Sequence, residues 1–221
     1  MAVLPYRLVI FDLDGTLADS LPWFLESLNG VADRFGFRRV APAELDELRR
    51  LGAREVVRRL QAPVWKLPFI ARHMRRLAAE NLHRMSLFPG ATEMLRELKA
   101  AGVRTAVLST NSTENIRAIL GPDAALCADL AGGASVFGKA PKMRRLVQRA
   151  GLAPAQALAI GDEIRDLEAA RAAGLAFGAV SWGMTHPEAL AARQPEHLFQ
   201  SMAEIAALFR EAGAGQAGRS A

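Results

Sequence analysis

The sequence predicts an α/β protein built on a doubly wound parallel sheet, with a second, helical unit inserted into it. Three observations carry that prediction. Short apolar runs rich in β-formers alternate with segments of helical spacing, as in parallel sheets buried on both faces. Each run ends abruptly in a polar loop, where such sheets place their sites. One long stretch, residues 18–88, shows helical spacing throughout and no strand.

The first apolar run is Arg7–Phe11, followed by Asp12-Leu13-Asp14-Gly15-Thr16-Leu17. Two carboxylates two residues apart at a strand exit repel each other unless a cation binds there. Oxygen ligands of this kind suit Mg²⁺. Gly15 lets the backbone turn. From Ala18 the apolar residues Leu21, Phe24, Leu25, Leu28, Val31 and Phe35 follow helical spacing up to Gly36. Further helical stretches follow Pro42, a break at Leu51–Glu55, and Pro63, and a long Arg-rich helix is expected from Trp65 to about Met85.

Phe88-Pro89-Gly90 returns the chain to the sheet. A helix over Ala91–Ala101 precedes a strand at Val103–Leu108, which ends in Ser109-Thr110-Asn111-Ser112. Hydroxyls and an amide at a strand's carboxyl end, beside a helix start, can hold phosphoryl oxygens. A short strand is expected at Leu126–Leu130. The loop Gly132–Lys142 contains Lys139 and Lys142, two of only four lysines in the chain. Ala155–Ile160 is the next strand, ending in Gly161-Asp162-Glu163-Ile164-Arg165-Asp166. Strands at Leu175–Ser181 and His197–Phe199 and a helix over Met202–Glu211 complete the pattern. Residues 212–221, small and Gly-rich, read as a disordered tail.

Four stretches in this order resemble the motifs of the haloacid dehalogenase-like (HAD) hydrolase superfamily. They are Asp-Leu-Asp-Gly-Thr at 12–16, Ser-Thr-Asn at 109–111, the lysine at 139, and Gly-Asp-x-x-x-Asp at 161–166. The resemblance spans the chain and is nearest to the phosphoglycolate phosphatase-like group. It implies a core domain of residues 1–17 and 89–211 and a helical cap domain of residues 18–88. It makes Asp12 the nucleophile that becomes an aspartyl-phosphate and Asp14 the general acid/base. Thr110, with Asn111, would bind phosphate, Ser109 being the alternative. Lys139 would neutralise charge, Lys142 being its alternative, since the family's Lys-Pro-x-Pro is Lys-Ala-Pro-Lys here. Mg²⁺ would be held by Asp12, the Asp14 carbonyl and Asp162, with Asp166 binding through water or orienting Lys139. Arg54, just after Gly52, falls where related caps carry a specificity loop.

The implied function is Mg²⁺-dependent hydrolysis of a small phosphate monoester, so the expected partner is a small phosphorylated metabolite. A phosphosugar mutase and a non-catalytic binding module are the alternatives on the same fold. Asp14 argues against a 2-haloacid dehalogenase.

Composition narrows the rest. The 221 residues are 51% hydrophobic and carry one cysteine, Cys127, so no intrachain disulfide or Cys-based zinc site is available. A reducing cytoplasm fits. The N-terminal apolar run is short and unlike a signal peptide, and no run reaches membrane-spanning length. The net charge of +5 lies wholly in residues 18–88, which hold 13 basic and 8 acidic side chains. Such a field can steer an anionic substrate. No nucleic-acid motif accompanies it.

Overall fold

The computed structural model describes residues 6–217. Its centre is a six-stranded, all-parallel sheet. In chain order the strands and helices are β1 (Leu8–Phe11), β2 (Ala18–Asp19), α1 (Leu21–Phe35), α2 (Leu45–Leu48), α3 (Ala53–Arg59), α4 (Leu67–Glu80), β3 (Ser86–Leu87), α5 (Ala91–Ala100), β4 (Arg104–Leu108), α6 (Thr113–Leu120), β5 (Asp129–Ala131), α7 (Lys139–Arg149), β6 (Ala157–Gly161), α8 (Ile164–Ala173), β7 (Ala176–Val180), α9 (Pro187–Ala191), β8 (His197–Phe199) and α10 (Met202–Ala217).

The sheet order is β5-β4-β1-β6-β7-β8. The chain winds outward from β1 to one edge through β4 and β5, then returns to β1's other side and winds outward through β6, β7 and β8. The direction of winding reverses between β1 and β6, whose carboxyl ends therefore flank the crevice where open α/β sheets bind ligands.

Both faces of the sheet are covered, which explains its continuous apolar runs. Successive side chains of a strand point to opposite faces. Val9 and Phe11 of β1 accordingly pack with Met94, Leu95, Ile116, Ile205 and Phe209 from α5, α6 and α10. Leu8 and Ile10 pack on the other side with Met143, Leu146, Leu167 and Ala170 from α7 and α8. Burying each of these large side chains contributes about 1.5–3 kcal/mol. The central strand is thereby fixed in register, and Asp12 is fixed with it.

Residues 20–85 leave and rejoin the sheet through β2 and β3, which pair antiparallel, Ala18 with Leu87 and Asp19 with Ser86. The expectation of no strand in 18–88 is corrected on this point. Two residues per strand are too few to show a period-2 pattern. The rest of the insert is helical and has its own small core of Val40, Leu48 and Leu60. Its expected last long helix is split: α4 stops at Glu80, and a 3₁₀ turn follows at Leu82–Arg84. At the other end of the chain, α10 continues through residues 212–217, correcting the expectation of a disordered tail there. Three alanines, Ala212, Ala214 and Ala217, favour helix over the glycines between them. The rest of that expected tail, residues 218–221, lies outside the described residues. No helix among the described residues is long and apolar enough to cross a membrane.

Candidate active site

Asp12 follows β1 and is 6% exposed. One of its carboxylate oxygens accepts from the Leu13 N–H at 2.8 Å. The other lies 2.7 Å from Nζ of Lys139, the first residue of α7. The same ammonium lies 2.6 Å from Asp166 in the first turn of α8. A lysine at a helix N-terminus opposes the helix dipole. The two buried carboxylates outweigh that small penalty. Lys142, by contrast, donates to the Gly132 carbonyl and fastens its own loop. Geometry thus separates the two lysines that the sequence left as alternatives.

Asp162 follows β6 and is fully buried. Its oxygens accept from Thr16 Oγ1 at 2.9 Å and from the Met184 N–H at 2.7 Å. Two glycines let the surrounding backbone close on it. At Gly15, where φ is +77°, an added Cβ would sit 2.4 Å from an Asp162 oxygen. At Gly183 it would sit 2.1 Å from the Asp162 Cβ. Only a hydrogen fits at either position.

Asp14 accepts a hydrogen bond from Ser109 Oγ at 3.2 Å. Ser109 also accepts from the Asn111 N–H at 2.9 Å and is fully buried. Thr110 lines the adjoining cavity, and its carbonyl accepts from Arg75 of α4 at 3.2 Å. Both hydroxyl candidates are therefore at the site, Ser109 against Asp14 and Thr110 on the cavity wall. The α6 N-terminus behind them is capped by Ser112, which accepts from the Asn115 N–H. Asn111 in turn accepts from Asn115 Nδ2 at 2.7 Å.

The cavity, of about 340 Å³, lies between these loops and the helical insert. Asp14, Thr110, Asn111, Asp162, Glu163 and Arg165 form its floor. Its walls are apolar, among them Phe24, Leu28, Val56, Leu60, Ile70 and Met74. Arg54, expected to contact substrate, stands elsewhere. It is exposed, its guanidinium lies 5.5 Å from the centre of the Phe137 ring, and it is not part of the cavity wall. The aromatic face attracts the guanidinium weakly at this exposed position. The insert's arginines that do reach the cavity are Arg49 and Arg75. Arg49 donates to the Met184 and Gly183 carbonyls at 2.8 and 3.0 Å, tying the insert to the loop that holds Asp162.

Two more residues belong to the site that sequence reading passed over. Glu163 offers a carboxylate oxygen that lies, with those of Asp12 and Asp166, within a 4.8 Å cluster. Arg165 pairs with Glu163. Both sit inside the Asp162–Asp166 run, so a count of its charged residues would have flagged them. The cluster differs in membership from the expected metal set. Asp162 and Asp14 point their carboxylates to Thr16, Met184 and Ser109, while Glu163 takes a place beside Asp12.

The electrostatics show a site short of positive charge. Burial pushes the Asp12 carboxyl up to about 7, with Asp166 adding to the rise and Lys139 and Arg165 opposing it. Burial, then the charges of Glu163, Asp12 and Asp166, push Asp162 up as well. Burial pulls Lys139 down, but Asp12 and Asp166 more than offset it, so the ammonium stays charged. Burial likewise opposes Arg165, and Glu163, Asp166 and Asp12 together raise it above its ordinary value. Among the described residues, the carboxylates of Asp12, Asp162, Glu163 and Asp166 thus face two cations, Lys139 and Arg165. An all-oxygen set with that imbalance fits a hard divalent cation.

A buried carboxylate–lysine chain at the winding reversal of a parallel sheet, under a helical insert, stands where open α/β sheets bind their ligands. The chain belongs to the haloacid dehalogenase-like hydrolases, whose family profile matches residues 9–180. Its relatives are phosphatases of the phosphoglycolate phosphatase-like group. It is 33% identical over 199 residues to a phosphoglycolate phosphatase of Synechococcus elongatus, covering 89% of this chain and 94% of that one. A phosphoglycolate phosphatase of Xanthomonas campestris is 32% identical over 187 residues, covering 80% and 84%. Among solved structures, CbbY from Rhodobacter sphaeroides, crystallised with phosphate, superposes with a TM-score of 0.65 at 26% identity, covering 90% of this chain and 96% of that one.

Proposed function

We propose that this phosphatase hydrolyses a small phosphate monoester of the phosphoglycolate type by a two-step, Mg²⁺-dependent route. The observation that carries the reading is the buried chain Asp12–Lys139–Asp166 at the exit of the central strand. Asp12 is the nucleophile. Its Oδ1 is held by the Leu13 N–H and its Oδ2 by Lys139, which orients the carboxylate without protonating it. Asp166 holds Lys139 in place. Asp14, hydrogen-bonded to Ser109 and facing the cavity, protonates the leaving alcohol. It then takes a proton from the water that opens the aspartyl-phosphate. Thr110, Ser109 and Asn111 face the phosphoryl oxygens. Asp12 and Asp162, with Asp166 or Glu163 behind them, would hold Mg²⁺. Bound there, the ion neutralises phosphoryl charge. The helical insert acts as a cap domain that excludes water and encloses the alcohol. A small phosphorylated metabolite is its partner, and the cytoplasm suits a chain with one cysteine.

The test is phosphate release from a panel of small phosphate esters, with Mg²⁺ and with chelator. Release is expected only with Mg²⁺, and 2-phosphoglycolate is expected to rank high. Absence of release from any ester by the folded, Mg²⁺-loaded protein would overturn the reading.

The charge imbalance has a second expected outcome. Asp12 titrates at about 7 in the folded chain and at about 4 when unfolded. Between these values the folded state binds a proton that the unfolded state lacks. Stability of the Mg²⁺-free protein therefore falls as pH rises from about 4 to about 7. Mg²⁺ binding removes the penalty, so the rise in Tm on adding Mg²⁺ is expected to be larger at about pH 8 than at about pH 5. Equal rises at both values would contradict it.

A further inference from the structure

The cavity has two chemically distinct ends. Asp14, Thr110, Asn111 and Asp162 reach it from the loops that follow β1, β4 and β6. Its apolar lining comes mainly from the helices of the insert. Leu21, Phe24 and Leu28 share one face of α1, and Ile70, Ala71 and Met74 share one face of α4. Apolar stripes of this kind ordinarily close on a neighbouring element. The stripe of α5 does so on the sheet, where Met94, Leu95 and Leu98 are buried. In the insert both stripes line the cavity instead, and Phe24, Leu28, Ile70 and Met74 stay half-buried.

The cavity's volume of about 340 Å³ lies in the range of small-molecule sites, about 300–1,000 Å³. A glycolate bound at the polar floor reaches little of it. The insert's two arginines at the cavity do not make the far end polar, because Arg49 donates to the Gly183 and Met184 carbonyls and Arg75 to that of Thr110. A hydroxyl-rich or charged alcohol extending past the floor would exchange water for hydrocarbon at a cost. An apolar chain there gains with each methylene it buries.

On the phosphatase reading above, we infer that the apolar end of the cavity is a subsite for the alcohol part of a second class of substrate, the phosphate monoesters of aliphatic alcohols several carbons long. The phosphoryl group lies at the polar floor and the chain between α1 and α4. The reaction is the same hydrolysis. The P–O bond to the alcohol breaks, the alcohol oxygen takes the proton of Asp14, and water replaces that proton and supplies the fourth oxygen of phosphate.

The test is kcat/KM for ethyl, butyl, hexyl and octyl phosphate with Mg²⁺, in wild type and in Ala71→Phe, whose ring takes up the space between the two stripes. In wild type the value is expected to rise about two- to fourfold per methylene until the cavity is filled, so that hexyl phosphate exceeds ethyl phosphate by at least about tenfold. The gain is expected in KM, since the chain is held equally before and during the chemical step. In Ala71→Phe the hexyl-to-ethyl ratio is expected to fall to within about threefold of one. A wild-type ratio near one, or a ratio that Ala71→Phe leaves unchanged, overturns the inference. Val57→Phe, from α3 on another side of the cavity, replaces Ala71→Phe if that variant melts early. A wild type that hydrolyses none of the esters overturns the phosphatase reading alone. The subsite is then decided by calorimetry with hexylphosphonate and ethylphosphonate, which need no turnover. Tighter binding of the longer chain supports it, and hexylphosphonate binding no tighter, or not at all, overturns it.

Discussion

Asp12→Asn is expected to lower phosphate release by at least about a thousandfold while leaving the fold standing. The amide is isosteric and keeps an oxygen for the Leu13 N–H, but it cannot attack phosphorus. The stability outcome separates two effects. Removing one partner of a buried ion pair usually destabilises. Here the carboxyl is already pushed up to about 7 by burial, so at about pH 8 the native Asp12 carries a desolvated charge that Asn does not. Lys139 meanwhile keeps Asp166 at 2.6 Å. The variant is therefore expected to melt no lower than metal-free wild type at that pH. Phosphate release within about tenfold of wild type would remove Asp12 from the nucleophile's role.

Lys139→Met should be the more damaging change to the fold. It leaves Asp12 and Asp166, 6% and 2% exposed, without the ammonium between them and with Arg165 left to offset part of their charge. Uncompensated buried charge costs about 3–5 kcal/mol. In a chain of this size that is a fall in Tm of roughly 10 °C. Part of the loss should return at about pH 5, where Asp12 can take up a proton. Activity falls with it, since the nucleophile is no longer oriented. Lys142→Met is the control. It loses one bond to the Gly132 carbonyl, away from the carboxylates, and is expected to keep most of its activity. If both variants behaved alike in thermal melts and phosphate release, Lys139 would have no special place.

Much of the sheet and its strand ends could be read from the chain, because each buried strand turns polar within one residue. Phe11 to Asp12 and Gly161 to Asp162 are such turns, and they lie side by side across the β1–β6 pairing. What the sequence hid was contact over long separations. Arg54 meets Phe137 and Arg49 meets Met184, and neither pairing leaves a periodic trace. Ser109 and Thr110 were indistinguishable because both are hydroxyls at one strand exit. Only the direction each side chain takes from the end of β4 separates them. Glu163 and Arg165 read as an ordinary charged helix start; the inward turn of Arg165 depends on the carboxylates of Asp12 and Asp166, and Glu163 turns with it as its ion-pair partner. The strands β2 and β3 were too short to show any alternation.

The placement of β1 bears on how the chain is made. Among the described strands of the sheet it comes first in the chain, and it lies inside the sheet, between β4 and β6. Its second neighbour begins only at Ala157, so for most of synthesis its Leu8–Phe11 edge stays open to other chains. Docking β6 closes that edge and brings Asp162 beside Gly15 in the same event. A nascent chain halted before residue 157 thus has an unprotected apolar strand and no complete site. Such contacts between distant parts of a chain form slowly. The interval before β6 emerges is the period in which this protein most needs protection from aggregation.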